Sequence, residues 1–138
     1  MTRYLPIAMC MTLTLGTPAM ATDDWRLNEC RMNNGTPAWT SYEVRQEIRC
    51  ATQRWPVPGG PSRAIAIALC ESGTDLQDAG GDGYAGPFQQ SERYWPERRR
   101  HYKPDGWELQ RMPAHPRANV IVSIRQAHGS GWGAWSCA

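Results

Sequence analysis

The sequence predicts a mainly α, α+β domain, a helical bundle around a buried central helix with a small β-hairpin region. Three observations carry this reading. Residues 62–73 form an almost wholly apolar run bracketed by helix signals, Pro61 and Ser62 before it and Gly73 after it. Apolar residues recur at helical spacing in two further stretches, one from Val44 and one around Val120. Ahead of the second lies a segment crowded with glycine and aspartate, residues that favour turns and hairpins.

The N-terminal residues stand apart from the fold. Met1-Thr2-Arg3 has the charge of a leader's first region, Tyr4 opens an apolar stretch, and Ala19-Met20-Ala21 supplies a small-x-small cleavage pattern. Residues 1–21 are therefore expected to be a secretory signal, and Cys10 would leave with them. Met9 is bulky where a lipoprotein site wants a small residue, which argues against lipidation at Cys10.

Removing 21 of the 138 residues leaves 117, enough for one compact core and too few for two domains. A single domain is expected over residues 22–138. Loss of Arg3 lowers the formal net charge from +2 to +1, without the basic excess of a dedicated nucleic-acid binder. The apolar run at 62–73 is too short to span a membrane. A monomer without cofactor is expected.

Four cysteines remain, Cys30, Cys50, Cys70 and Cys137, an even number in an exported chain. They read as two disulfides among three possible pairings, and sequence alone does not choose. The expected pairing staples Cys30 to Cys50 and ties Cys70, on the central helix, to Cys137 in the tail. A zinc site would want paired C-x-x-C spacing, which is missing, so no metal is expected.

Taken in order, residues 22–39 read as an irregular arm whose Trp25, Leu27 and Trp39 pack on the core. Thr40-Ser41-Tyr42-Glu43 has the form of a capping box, and Val44, Ile48, Ala51 and Trp55 follow on one helical face. The proline- and glycine-rich residues 56–61 then turn the chain into the central helix. Asp82-Gly83 is the expected tip of the hairpin. Ser91 is expected to cap a short helix with Tyr94 and Trp95 that Pro96 breaks, and Arg98-Arg99-Arg100-His101 with Lys103 reads as a solvated basic face, with specific anion binding the alternative.

A brief helix is expected from Trp107 to Met112. Residues 116–129 form the last buried element. Their β-branched content suits a strand, but their length and the terminal Gly129 favour a helix. The tail at 131–137 is a loop anchored by Trp132 and Trp135.

Glu71 is the chemical focus. Ala64, Ile67 and Ala68 precede it by seven, four and three residues, so on a helix the acid continues an apolar stripe. Desolvation there and the negative end of the helix dipole would both favour its protonated form, as a general acid requires. The structural alternative is a helix-end glutamate paired with Arg63 or Arg93. Tyr84, Phe88, Gln89, Gln90, Tyr94 and Trp95 follow, supplying aromatic faces for sugar rings and amides for hydroxyls. Packing in the core is the favoured role for Trp95, Trp107, Trp132 and Trp135 individually.

Three motifs in order, Ala68-Leu69-Cys70-Glu71-Ser72-Gly73, Ala85-Gly86-Pro87-Phe88-Gln89-Gln90 and Pro116-Arg117-Ala118-Asn119, resemble the lysozyme-like superfamily. The likeness is greatest to soluble lytic transglycosylase and goose-type lysozyme domains, and covers about residues 55–137. It implies a lysozyme-like fold, Glu71 as catalytic acid/base, and Ser72 orienting the acid or the substrate. It also implies that Gly86, Phe88 and Gln89 line a glycan groove, with Asn119 in the binding set; Tyr84 or Tyr94 is the candidate to compensate for departures from the family pattern. Two departures are Pro87, where the family carries leucine, and the lack of the family's tyrosine after Asn119.

The function implied is secreted, wall-associated cleavage of the MurNAc-GlcNAc β-1,4 bond of peptidoglycan. A lytic transglycosylase needs one carboxyl group, because the muramic acid C6 hydroxyl attacks within the sugar. A lysozyme-type hydrolase would recruit a second, and Asp75, Asp78 and Asp82 are the candidates beside their role in turns. A non-catalytic wall-glycan-binding protein would keep the groove without needing Glu71. A disulfide-stapled toxin or inhibitor accounts for the cysteines but not for the order of the motifs.

Overall fold

A computed structural model describes residues 29–138 except 34, 37, 78 and 79. The expected leader, Trp25, Leu27 and Asp78 lie outside the described residues. Among these are four helices, α1 (Ser41–Arg54), α2 (Gly60–Ser72), α3 (Trp95–Tyr102) and α4 (Pro116–Ser130). Strands β1 (Tyr84–Ala85) and β2 (Gln90–Ser91) pair antiparallel, Tyr84 opposite Ser91 and Ala85 opposite Gln90. The fold is mainly helical with a small two-stranded region.

Helix α1 starts where its capping box says it should. Thr40 Oγ1 accepts the Glu43 N–H at 3.2 Å, and the Glu43 carboxylate accepts the Thr40 N–H at 2.7 Å. That backbone bond is the main reason the Glu43 carboxyl lies below its ordinary range. Helix α2 begins two residues earlier than Ser62, because Gly59 at φ 77° turns the chain and Pro61 fits the first turn, where no N–H is needed. Ala64, Ile67 and Ala68 are fully buried on its inner face.

The bundle is centred on α4, whose ten buried residues exceed the four of α2, so the most deeply enclosed helix is the last and not the apolar run at 62–73. Helix α4 packs against α1 and α3, and α1 against α2. Cys30 is bonded to Cys50, and Cys70 to Cys137. No helix among the described residues is long and apolar enough to cross a membrane.

Three local expectations are corrected. The hairpin turns at residues 86–89 and not at Asp82-Gly83, whose aspartate instead accepts the Tyr84 N–H at 3.3 Å. Pro96 begins α3 in its first turn instead of breaking a helix, and Ser91 belongs to β2.

Residues 107–112 form no helix. Their carbonyls are taken by side chains: Lys103 Nζ reaches Trp107 O at 2.8 Å, Arg117 Nη1 reaches Glu108 O at 2.6 Å, and Trp95 Nε1 reaches Arg111 O at 2.6 Å. Arg99 donates to the Leu109 and Gln110 carbonyls. A helical ladder would need those acceptors, so none forms over these residues. Part of the basic run expected to face solvent is thus structural.

Candidate active site

Helix α2 ends at Gly73, at φ 86°, whose N–H caps Leu69 O at 2.9 Å. Its last turn carries Cys70, Glu71 and Ser72. The Cys70–Cys137 disulfide draws the tail back across this turn, and Trp132 Nε1 fastens the tail to Pro58 O at 2.9 Å. Glu71 Oε1 accepts two hydrogen bonds from the tail, from the Ser136 hydroxyl and the Cys137 N–H, each at 3.1 Å. Covalent bond and carboxylate contact are one residue apart at both ends, so the disulfide also orients the acid.

Glu71 is half-buried. The expectation of an acid sealed beneath an apolar stripe is corrected: the stripe ends at Ala68, one turn below, and the carboxyl group stands where α2 emerges. Its partners come from the tail, and no arginine is in ion-pair contact with it among the described residues. Glu71 opens into a cleft of about 400 Å³, a size suited to a small ligand or a segment of a polymer. Tyr84 and Tyr94 flank this cleft at 52% and 49% exposure, aromatic rings of the kind that stack on sugars, with Arg93 and Arg98 set against the Tyr94 ring. Gln89, Gln90, Ser91, Arg98 and Ser136 supply polar groups, and Trp135 an apolar wall.

The turn at 86–89 is fixed from beneath by α4. Asn119, fully buried, accepts the Phe88 N–H at 2.8 Å and donates to Ala85 O at 2.9 Å and Pro113 O at 2.8 Å. Trp135 Nε1 donates to Phe88 O at 3.0 Å. Gly86, at φ 77°, lies so close to Asn119 and the Pro113 carbonyl that a Cβ would overlap both. Gln89 takes φ 46°, rare for a residue with a side chain, and its Nε2 folds back to Gly86 O at 3.0 Å. A non-glycine residue held in that region beside a cleft marks a backbone shaped by its surroundings.

Of the residues expected to bind substrate, Tyr84 and Gln89 line the cleft with Glu71. Four others are not among its lining residues. Ser72 returns its hydroxyl to Ala68 O at 2.9 Å, on its own helix. Phe88 is 0% exposed, stacked on Trp132 at 6.0 Å and edge-on to Trp135 at 6.2 Å. Gly86 and Asn119 are buried beneath the turn. They shape the turn that presents Gln89 and lie outside the cleft lining.

Trp95 is buried, in keeping with the core packing expected of it. Asp75 accepts the Gln77 N–H at 3.3 Å, and neither Asp75 nor Asp82 lines the cleft. Among the described lining residues Glu71 is the one carboxylate.

Arg98, Trp135 and Ser136 were not among the expected site residues. For Trp135 and Ser136 the available signal was the expected Cys70–Cys137 pairing, which carries the tail past Glu71. Among the described residues no group of three His, Cys, Asp or Glu side chains is placed to hold a metal ion. No family model, curated protein or solved structure matches the chain.

Proposed function

We propose that this protein is a secreted peptidoglycan-cleaving enzyme, a lytic transglycosylase with Glu71 as its single acid/base. The observation that carries the reading is Glu71 at the end of α2, half open to a cleft flanked by exposed tyrosines and amides, the one carboxylate among its described lining residues. The resemblance of the Glu71-Ser72 and 86–90 motifs to lytic transglycosylase and goose-type lysozyme domains supports the same reading. Two disulfides suit an oxidising compartment such as the cell exterior.

In the reaction the protonated Glu71 carboxyl group gives its proton to the glycosidic oxygen as the bond to muramic acid C1 breaks. The Glu71 carboxylate then takes the proton of the C6 hydroxyl as O6 bonds to C1. No water is consumed, one 1,6-anhydro end forms, and Glu71 regains its proton. The Ser136 hydroxyl and Cys137 N–H hold Oε1 and so fix the direction in which the carboxyl group faces the cleft. Tyr84 and Tyr94 would stack on sugar rings, and Gln89 would bond their hydroxyl or acetamido groups.

Mass spectrometry of purified wall digested by the protein tests this. Anhydro-muramyl products are expected. Reducing ends would replace the transglycosylase with lysozyme-type hydrolysis of the same bond, and an undigested wall would overturn the enzyme reading in favour of a wall-glycan-binding protein.

A further inference from the structure

A second cleft of about 400 Å³ lies beside the first, formed by α3 and α4 with Glu97, His101, Tyr102 and Gln126 in its lining. Tyr94 and Arg98 line both clefts, so they stand at the junction. Arg98 is half-buried and held by a buried network. Its Nη1 donates to Gln90 Oε1 at 2.7 Å, and Gln90, 1% exposed, donates from Nε2 to Ser123 Oγ at 2.8 Å and Gln126 Oε1 at 3.4 Å.

Gln90 is thereby oriented with its oxygen toward the arginine, and the guanidinium is fixed without being neutralised. No carboxylate forms an ion pair with Arg98 among the described residues. The guanidinium also sits 5.6 Å from the Tyr94 ring centre, and Arg93 approaches the same ring at 5.4 Å. An oriented cation with no acid partner, at the meeting point of two clefts, is a receptor for an anion.

We propose that the two clefts form one groove for a polymer and that Arg98 binds a carboxylate carried by side groups of the glycan strand. The inference rests on the glycan reading of the Glu71 cleft and adds a specificity: acid-bearing strands over neutral ones. The carboxylate is either the lactyl group of a peptide-free muramic acid or an acid of an attached peptide.

Binding is measured by calorimetry on the Glu71→Gln protein, so that no turnover intervenes, with peptide-bearing strands, peptide-free strands and neutral N-acetylglucosamine oligomers. At least one acid-bearing strand should bind about tenfold tighter than the neutral oligomers, the difference a charge-assisted contact supplies. Adding Arg98→Gln should erase that preference, costing acid-bearing strands more affinity than neutral ones, while Arg98→Lys should restore part of it. The preferred strand identifies which carboxylate is read.

Equal loss on charged and neutral ligands, or a preference that survives Arg98→Gln, would overturn the assignment. Should the Arg98 variants fail to fold, salt titration of the Glu71→Gln protein decides. A preference that falls with rising salt supports the contact, and one indifferent to salt overturns it. Neutral binding without preference defeats this inference alone, whereas no glycan binding at all defeats the parent reading with it.

Discussion

Two glutamates, each on a helix with an apolar inner face, end in opposite environments. Glu47, on α1, is wholly buried: Oε2 accepts the Met32 N–H at 3.4 Å and Oε1 has no partner. Desolvation pushes its carboxyl well above the usual range, against the pull of the nearby Arg117 guanidinium. Arg117 is itself nearly buried, donating to the carbonyls of Glu29 and Glu108, with burial the main influence lowering its own pKa. Glu71 stands half open at a cleft with two donors on one oxygen.

The difference teaches that a helix's own periodicity fixes only which face an acid shares. What covers that face comes from elsewhere in the chain. Over Glu47 it is the segment around Met32 and the first turn of α4, which close the space. At Glu71 it is the tail, which holds one oxygen and leaves room beside it. The enclosed acid has no space for a substrate, and the half-covered one does.

The largest effect expected from disturbing this contrast comes from the tail. Cys70→Ser with Cys137→Ser should lower stability by about 2–5 kcal/mol and also remove most wall cleavage at temperatures where the variant is folded. Cys30→Ser with Cys50→Ser should cost stability on the same scale and leave cleavage by the folded fraction nearly unchanged. Melting curves beside wall-clearance rates check both. Equal retention of activity in the two variants would detach the tail from the acid.

Asn119→Ala comes next. It leaves the Phe88 N–H and the Ala85 and Pro113 carbonyls without their buried partner, at about 1–3 kcal/mol for the first orphaned group. Denaturant unfolding should show that loss, and the displaced Gln89 should raise KM more than it lowers kcat.

The smallest effect is expected at Glu47. A folded carboxyl pKa raised above its unfolded value gives stability that is complete below the ordinary carboxyl range and is lost as pH rises through the raised value. Glu47→Gln should therefore gain on wild type as pH climbs from 4 toward neutrality, following the linkage relation, at about one proton's slope. His115 acts oppositely. Burial first, and then Arg117, depress its pKa, so its contribution is complete above the ordinary histidine range and falls as pH drops toward the depressed value. Subtracting the Glu47→Gln curve from that of wild type isolates the carboxyl group from the histidine. A difference that does not vary with pH would contradict the buried-acid description.

Much of the helical framework was legible because its signals are local. Thr40 and Glu43 state where α1 starts, and the spacing of Val120, Ile124 and Ala127 marks α4. Local signals also misled. Asp82-Gly83 has the chemistry of a hairpin tip, but the true turn includes Gln89 at positive φ, held there by Asn119 and Trp135 from distant parts of the chain. The segment from Trp107 has helical composition, but arginine, lysine and tryptophan side chains take its carbonyls.

In the site, Glu71 and Gln89 could be named because each belongs to a short motif, and Tyr84 because it is an aromatic residue directly before one. Arg98 and Ser136 could not, since they reach the cleft through the buried Gln90 network and the returning tail. Phe88 and Asn119 carry motif positions but act as supports, a distinction set by burial and not by residue type.

On the proposed function, the half-open acid, and not the buried one, carries the chemistry. Clearance of purified wall by the Glu71→Gln protein tests it most directly, with melting temperature recorded to confirm folding. The rate should fall at least about a hundredfold below wild type, as expected for loss of a general acid, with melting little changed. Undiminished clearance by the folded variant would contradict it.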